Sequence, residues 1–318
     1  MARTVILEQD EAKLRAAIAR AEKAAPRDAA RFLEELIEGY RGGPAARGRA
    51  RAAARARPLA SAMGTDRRYL GHARALVRGA KAGMRIVGGR PVKSGEFADC
   101  VAVGCIGDWV CTGTLIAPQA VVTAGHCAQC ATRVFFGTDV DGAGDVVAVK
   151  KAVRHPRYHQ GRHNDLMVLL LARPVTKVKA RKLASAALIA KATDARLVGF
   201  GNTNLAGTQG YGKKRQVDVP VVSPACQGET DGEDDDATYG CDRGWEIVAG
   251  RPLLERDSCT GDSGGPLYVA TAAGEWRLAG VTSRATDSGQ HECGDGGVYA
   301  RIDRYREWLA GVPGVALA

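Results

Sequence analysis

Gly261-Asp262-Ser263-Gly264-Gly265 sets a serine among glycines, a spacing at which the backbone can turn sharply enough to expose a hydroxyl. A serine hydroxyl is a weak nucleophile at neutral pH until a base takes its proton. Histidine has the intrinsic pKa for that task, and a carboxylate can hold the imidazole in the productive tautomer. One architecture built on such an elbow places its acid and its histidine after the serine. Here only His291 follows, 28 residues on, which is too near for that arrangement. Upstream stand Thr123-Ala124-Gly125-His126-Cys127 and His163-Asn164-Asp165-Leu166-Met167. The order His126, Asp165, Ser263 fits the other solution to the same geometric problem.

The segment that must position these residues changes texture near residue 86. Short runs rich in Val, Ile and Thr then alternate with Gly- and Asp-containing turns. Strands are predicted over 110–116, 121–123, 134–136, 146–149, 166–171, 197–200, 217–222, 267–269, 278–282 and 297–302. Ten or so strands with turn signals between them suggest antiparallel barrels, and only 304–309 reads as a helix.

From Ile86 to about Trp308 the chain resembles the trypsin/chymotrypsin serine peptidases. The resemblance rests on Ile86-Val-Gly-Gly89, Val121-Val-Thr-Ala-Gly-His-Cys127, Asn164-Asp-Leu166, Gly199-Phe-Gly-Asn-Thr203, Asp257-Ser-Cys-Thr-Gly-Asp-Ser-Gly-Gly-Pro266 and Gly297-Val-Tyr299. It implies an all-β fold of two antiparallel six-stranded barrels with a short C-terminal helix. It also implies a His126-Asp165-Ser263 triad and an oxyanion hole from the backbone N–H groups of Gly261 and Ser263.

The same resemblance assigns further residues. Asp257, six before the nucleophile, would sit at the base of the primary specificity pocket and favour Arg or Lys, with Ser258, Ser283, Ala285 and Gly297 around it. Ser283-Arg284-Ala285 departs from the family's usual Ser-Trp-Gly. Arg85-Ile86 looks like a zymogen junction, whose cutting would free an α-amino group to pair with Asp262. Because Arg85 is basic, the activator would be another protease or the enzyme itself; an uncut, active chain is the alternative. Cys111–Cys127, Cys226–Cys241 and Cys259–Cys293 match family disulfides. In this fold Cys105 and Cys130 would lie on neighbouring loops, which pairs them and leaves Cys100 free.

Composition bounds the rest. With 318 residues, 45% hydrophobic and 25% charged, the chain can bury a core and is neither collagen-like nor wholly disordered. The net charge of +10 would ordinarily point to a polyanionic partner. Residues 1–85 hold 19 basic and 9 acidic residues, whereas 86–318 hold 26 of each, so the excess belongs to the N-terminal extension alone. Within it, 1–40 reads as two short amphipathic helices and 41–85 as an Arg/Ala/Gly-rich linker, with a further short helix over 67–81. Five arginines at 47–57 have no interleaved aromatics, which favours a protease-sensitive linker over a nucleic-acid patch. Residues 86–318 form the expected peptidase domain.

The first ten residues carry only three consecutive large apolar residues, too few for a secretory leader, and no membrane span is expected. Nine cysteines after residue 85 argue instead for an oxidising compartment, so both readings of location stay open. Cys127-Ala-Gln-Cys130 has zinc-ligand spacing without a second such pair, and no metal or cofactor is expected. His155, His159 and His163 read as a loop, because Pro156 and Gly161 interrupt their helical spacing. Glu229, Asp231 and the 233–236 acidic run form a charged loop that either meets basic substrates or is a solvated turn. Three functions compete: a serine endopeptidase with peptide substrates, the same enzyme recruited by an adaptor partner of 1–40, and an inactive binding module.

Overall fold

The computed structural model describes residues 89–159, 163–203, 210–230, 232–250, 257–289 and 293–317. The expected helices of the N-terminal extension, its Arg-rich linker, the Arg85-Ile86 junction, Asp231 and His291 lie outside these residues.

A two-residue strand, β1 (Arg90–Pro91), comes first. The first barrel then forms from β2 (Cys100–Cys105), β3 (Asp108–Ala117), β4 (Ala120–Thr123), β5 (Arg133–Gly137), β6 (Gly144–Arg154) and β7 (Met167–Leu171). They close antiparallel in the order β2-β3-β4-β7-β6-β5. Strand alternation divides their side chains between two cores. Val101 and Val103 of β2 join Leu115, Val121, Val134, Met167 and Leu169 in one cluster. Cys100 and Ala102, on the opposite face, join a cluster that reaches Val198, Phe200, Tyr268 and Leu278 of the other half. Each fully buried Leu or Val contributes about 1.5–3 kcal/mol relative to exposure.

The second barrel begins after a short helix, α1 (Ala186–Ala190), with β8 (Asp194–Gly199) and β9 (Arg215–Ser223). A small hairpin, β10 (Glu229–Thr230) and β11 (Glu233–Asp234), leads into α2 (Asp235–Tyr239). Then follow β12 (Glu246–Ala249), β13 (Pro266–Ala270), β14 (Trp276–Ala285), β15 (Gly297–Arg301) and a terminal helix, α3 (Arg306–Gly311). The order β9-β12-β15-β14-β13-β8 closes through β8–β9 pairing, and β1 adds to β9 at Arg90↔Gln216.

The two-barrel expectation is borne out, with corrections in detail. The tail is not the only helix: α1 and α2 are five residues each, too short to show a helical period. Ser185 Oγ caps α1 by accepting from the Leu188 N–H at 3.2 Å, and Gly240 ends α2 in the left-handed region at φ 65°. Strands β2 and β12 lay outside the predicted set, because Cys-Val-Ala-Val-Gly-Cys and Glu-Ile-Val-Ala carry weak β signals.

The barrels are joined by a polar bracket as well as the apolar seam. Tyr268 Oη donates to Oδ2 of buried Asp99 at 2.6 Å, and Arg181 Nε donates to the same oxygen at 2.9 Å. The Arg181 guanidinium also lies 4.9 Å from the centre of the Tyr268 ring. Four disulfides join Cys105–Cys130, Cys111–Cys127, Cys226–Cys241 and Cys259–Cys293, leaving Cys100 buried and free. All five cysteine assignments made from the sequence hold.

Candidate active site

His126 sits in a 3-10 turn (Gly125–Cys130) that follows β4 directly, and the Cys111–Cys127 disulfide ties this turn to β3. Asp165 immediately precedes the lead into β7, after Asn164 has reversed the chain at φ 54°. The Asn164 side chain holds that turn by donating to the Arg157 carbonyl at 3.0 Å. Gly125 permits the approach of the two segments: a β-carbon there would lie 2.9 Å from the Tyr158 ring and 3.2 Å from Asp165 Oδ1.

Asp165 is buried and accepts three hydrogen bonds. The His126 N–H reaches Oδ1 at 2.9 Å, while His126 Nδ1 and Ser283 Oγ meet Oδ2 at 2.7 Å each. Burial by itself pushes the carboxyl pKa up, but the bonds and charge of His126 and the Ser283 hydroxyl outweigh it, so the net shift is downward. Asp165 is therefore an ionised acceptor that fixes the imidazole through Nδ1 and leaves Nε2 for chemistry.

Ser263 lies on the loop between Asp257 and β13, anchored by the Cys259–Cys293 disulfide. The first barrel grips this loop through Thr112 of β3. Thr112 N–H donates to the Ser263 carbonyl and Thr112 Oγ1 to the Gly261 carbonyl, both at 2.9 Å. Cys127 Sγ, next to His126, lies 3.6 Å from the Ser263 carbonyl oxygen. Gly264 has φ 79°, and a β-carbon on it would fall 2.0 Å from Thr123 Oγ1, so the seam admits only glycine there. Among the described residues, the Gly261 and Ser263 N–H groups have no intramolecular acceptor, whereas the Asp262 N–H between them donates to the Cys259 carbonyl at 2.8 Å. Two free donors flanking Asp262, one of them the serine's own N–H, can receive an anionic oxygen.

Asp257, at 5% exposure, is held on one oxygen by the Ser258 N–H at 2.6 Å, Ser258 Oγ at 3.2 Å and Tyr299 Oη at 3.0 Å. Burial dominates these bonds and pushes its pKa up to about 7. Ala285 of β14 pairs across the sheet with Gly297 of β15. A β-carbon on Gly297 would come within 2.9 Å of Tyr299 Oη, so this glycine keeps the approach to the Tyr299–Asp257 pair clear. Asp262 keeps some residue exposure, but its carboxyl is enclosed; burial raises its pKa to about 6 against bonds from Cys259 N–H at 2.9 Å and Gly201 N–H at 2.7 Å. Asp257 and Asp262 line one narrow cavity together with Ser258, Gly199, Gly201 and Gln216.

Other expectations meet the structure unevenly. Ser283, assigned to substrate binding, directs its hydroxyl at Asp165. Arg284 forms a bidentate pair with buried Glu246. The acidic 229–236 loop is not uniformly solvated charge: Asp235 is buried and bonds the Gly228 N–H and Thr230 hydroxyl, while Arg243 pairs with Asp234 and Asp236. His155 is packed against Tyr305 and Trp308, and His163 bonds Asp242 at 2.6 Å, within the loop expected there. Cys127 and Cys130 belong to two different disulfides, which removes both as thiolate ligands. Thr112 and Glu246 escaped sequence reasoning, since a lone Thr or Glu carries no spacing signal, and Tyr299 entered only as part of the Gly297-Val-Tyr299 motif without a site role.

Comparison with known proteins gives a consistent picture. Residues 86–309 match the family model described as Trypsin. Trypsin-2 of Salmo salar is 30% identical over 233 residues, covering 71% of this chain and 94% of that protein. Trypsin of Saccharopolyspora erythraea is 35% identical over 234 residues, covering 70% of this chain and 96% of its own length.

Proposed function

From the premise that the chain belongs to the trypsin family, we propose that it is a serine endopeptidase that cuts after Arg or Lys through an acyl-enzyme. Ser263 Oγ attacks the scissile carbonyl carbon as His126 Nε2 takes its proton. The resulting oxyanion is received by the Gly261 and Ser263 N–H groups, each donor contributing roughly 3–4 kcal/mol to the transition state. Asp165 stabilises the imidazolium, which then protonates the departing amine. Water, activated by the same histidine, hydrolyses the acyl-enzyme and restores Ser263. The observation that carries this reading is the Asp165 carboxylate bound to both the main chain and Nδ1 of His126, beside a serine loop gripped by Thr112.

Asp257 reads the substrate. Asp257 has no cationic partner among the described residues, and an entering guanidinium or ammonium supplies one. Asp262, which lines the same cavity, has the same need among the described residues. Cleavage after Arg85 would free the Ile86 α-amino group to meet it, ordering the pocket and the oxyanion hole. The precursor then awaits another protease or a first mature copy of itself.

The test is hydrolysis of a small arginine ester by protein cut after Arg85, with Ser263→Ala as the control. Turnover abolished by Ser263→Ala supports the reading. No turnover by the cut wild-type protein sinks it.

A further inference from the structure

The Arg284 side chain is 18% exposed, and its guanidinium is bonded on both terminal nitrogens. Nη1 donates to Glu246 Oε1 at 2.8 Å, and Nη2 donates to Oε2 and to the Gly240 carbonyl at 2.7 Å each. Glu246 is itself buried, and Oε2 takes a further bond from the Asp242 N–H at 2.7 Å. The pair is thus rigid and bidentate. Nη1 also reaches toward the hydroxyl oxygen of Ser283 at 3.4 Å. That hydroxyl donates to Asp165 Oδ2 at 2.7 Å, the oxygen that also takes His126 Nδ1. A hydroxyl that accepts from a guanidinium turns its own proton the other way. Here the other way is toward Asp165.

We propose that Glu246 and Arg284 are positioning residues for the catalytic base, orienting the Ser283 hydroxyl onto Asp165 and balancing the charge that His126 experiences. This rests on the roles proposed above for His126 and Asp165. Arg284 places a positive charge behind Asp165, and Glu246 offsets it from the far side. Charges in a buried network act over longer range than exposed ones. The charges of Asp165 and Tyr158, of Asp165 and Tyr305, and of Asp287 and Arg284 act on one another, and the Asp242 N–H donates to Glu246 Oε2. Tyr158, Tyr305, Asp242 and Asp287 are present in every variant compared.

The experiment compares Arg284→Gln, Glu246→Gln and the double variant. Two readouts are taken: the acid limb of kcat/KM in the cut enzyme, and the His126 imidazole titration by NMR in Ser263→Ala protein. Arg284→Gln leaves Glu246 uncompensated and should move the acid limb to higher pH. Glu246→Gln leaves Arg284 uncompensated and should move the acid limb to lower pH. The double variant should return close to wild type. Opposite shifts support the proposal, because a merely structural role lowers activity without them. Shifts of one sign, or none, overturn it. Should Arg284→Gln fail to fold, a shift in Glu246→Gln that the double variant reverses supports the proposal, and no shift in Glu246→Gln overturns it. NMR shifts of opposite sign in a protein that hydrolyses no ester would support the positioning role while removing the peptidase reading.

Discussion

Gly199 and Asp262 are so close that a β-carbon on the glycine would lie 2.0 Å from Oδ1 of the carboxylate. The side chain of Asp262 therefore occupies space that every other residue at 199 would claim. Gly199→Ala should displace the carboxyl from the Gly201 N–H, disturb the neighbouring Ser263 loop and destabilise the domain by about 1–3 kcal/mol. Arginine-ester turnover should fall more than stability does. Chemical denaturation alongside kinetics checks this; a variant with wild-type activity would show that the site does not depend on where Asp262 lies.

Asp257→Ser should cost the cut enzyme several kcal/mol of transition-state discrimination for Arg over uncharged residues, about 10²-fold or more in relative kcat/KM. Matched esters that differ only in the residue before the cut provide the measurement. An unchanged preference would assign the reading of basic residues to another carboxylate.

The raised pKa of Asp257 also has a stability consequence. An ordinary aspartate titrates at 3.8, and this one at about 7. Between those values the folded state holds a proton that the unfolded chain has released, so Asp257 erodes stability as pH rises from about 4 to about 7. In a Ser263→Ala background, Asp257→Asn should therefore gain on the parent as pH rises, reaching ~2–4 kcal/mol at pH 8. Denaturant melts at pH 5 and pH 8 test this, and a pH-independent difference would remove the claim.

Arg85→Gln should leave a precursor that a trypsin-like activator does not cut at 85 and that turns over arginine esters at least about 10²-fold more slowly than cut protein. N-terminal sequencing and ester assay together check it. Full activity in the uncut variant would favour the single-chain alternative.

Much of the fold was legible because its signals are local. The glycines of 261–265, the Val-rich runs of β4 and β9 and the Leu-rich run of β7 announce themselves locally. What sequence could not give is what depends on a partner far along the chain. Thr112 earns its place only by meeting Gly261 and Ser263, about 150 residues on. Glu246 looks like a stray charge in a strand until Arg284 is set against it. The acidic 233–236 run resembles solvated surface, yet Asp235 turns inward because the Gly228 N–H and Thr230 hydroxyl satisfy it. Pairings of this kind are properties of topology, and composition is silent on them.

Burial of Cys100 carries one more consequence. It is 0% exposed, its thiol donates to the Val198 carbonyl at 3.5 Å, and burial pushes its pKa upward, while the other eight cysteines are oxidised in pairs. The native molecule thus shows no thiol to an alkylating reagent, and a fully oxidised but unfolded one shows a single thiol. Thiol labelling without reductant is therefore a census of unfolding: the fraction of chains carrying one adduct counts those whose barrels have come apart, independently of whether any peptide bond is ever cut.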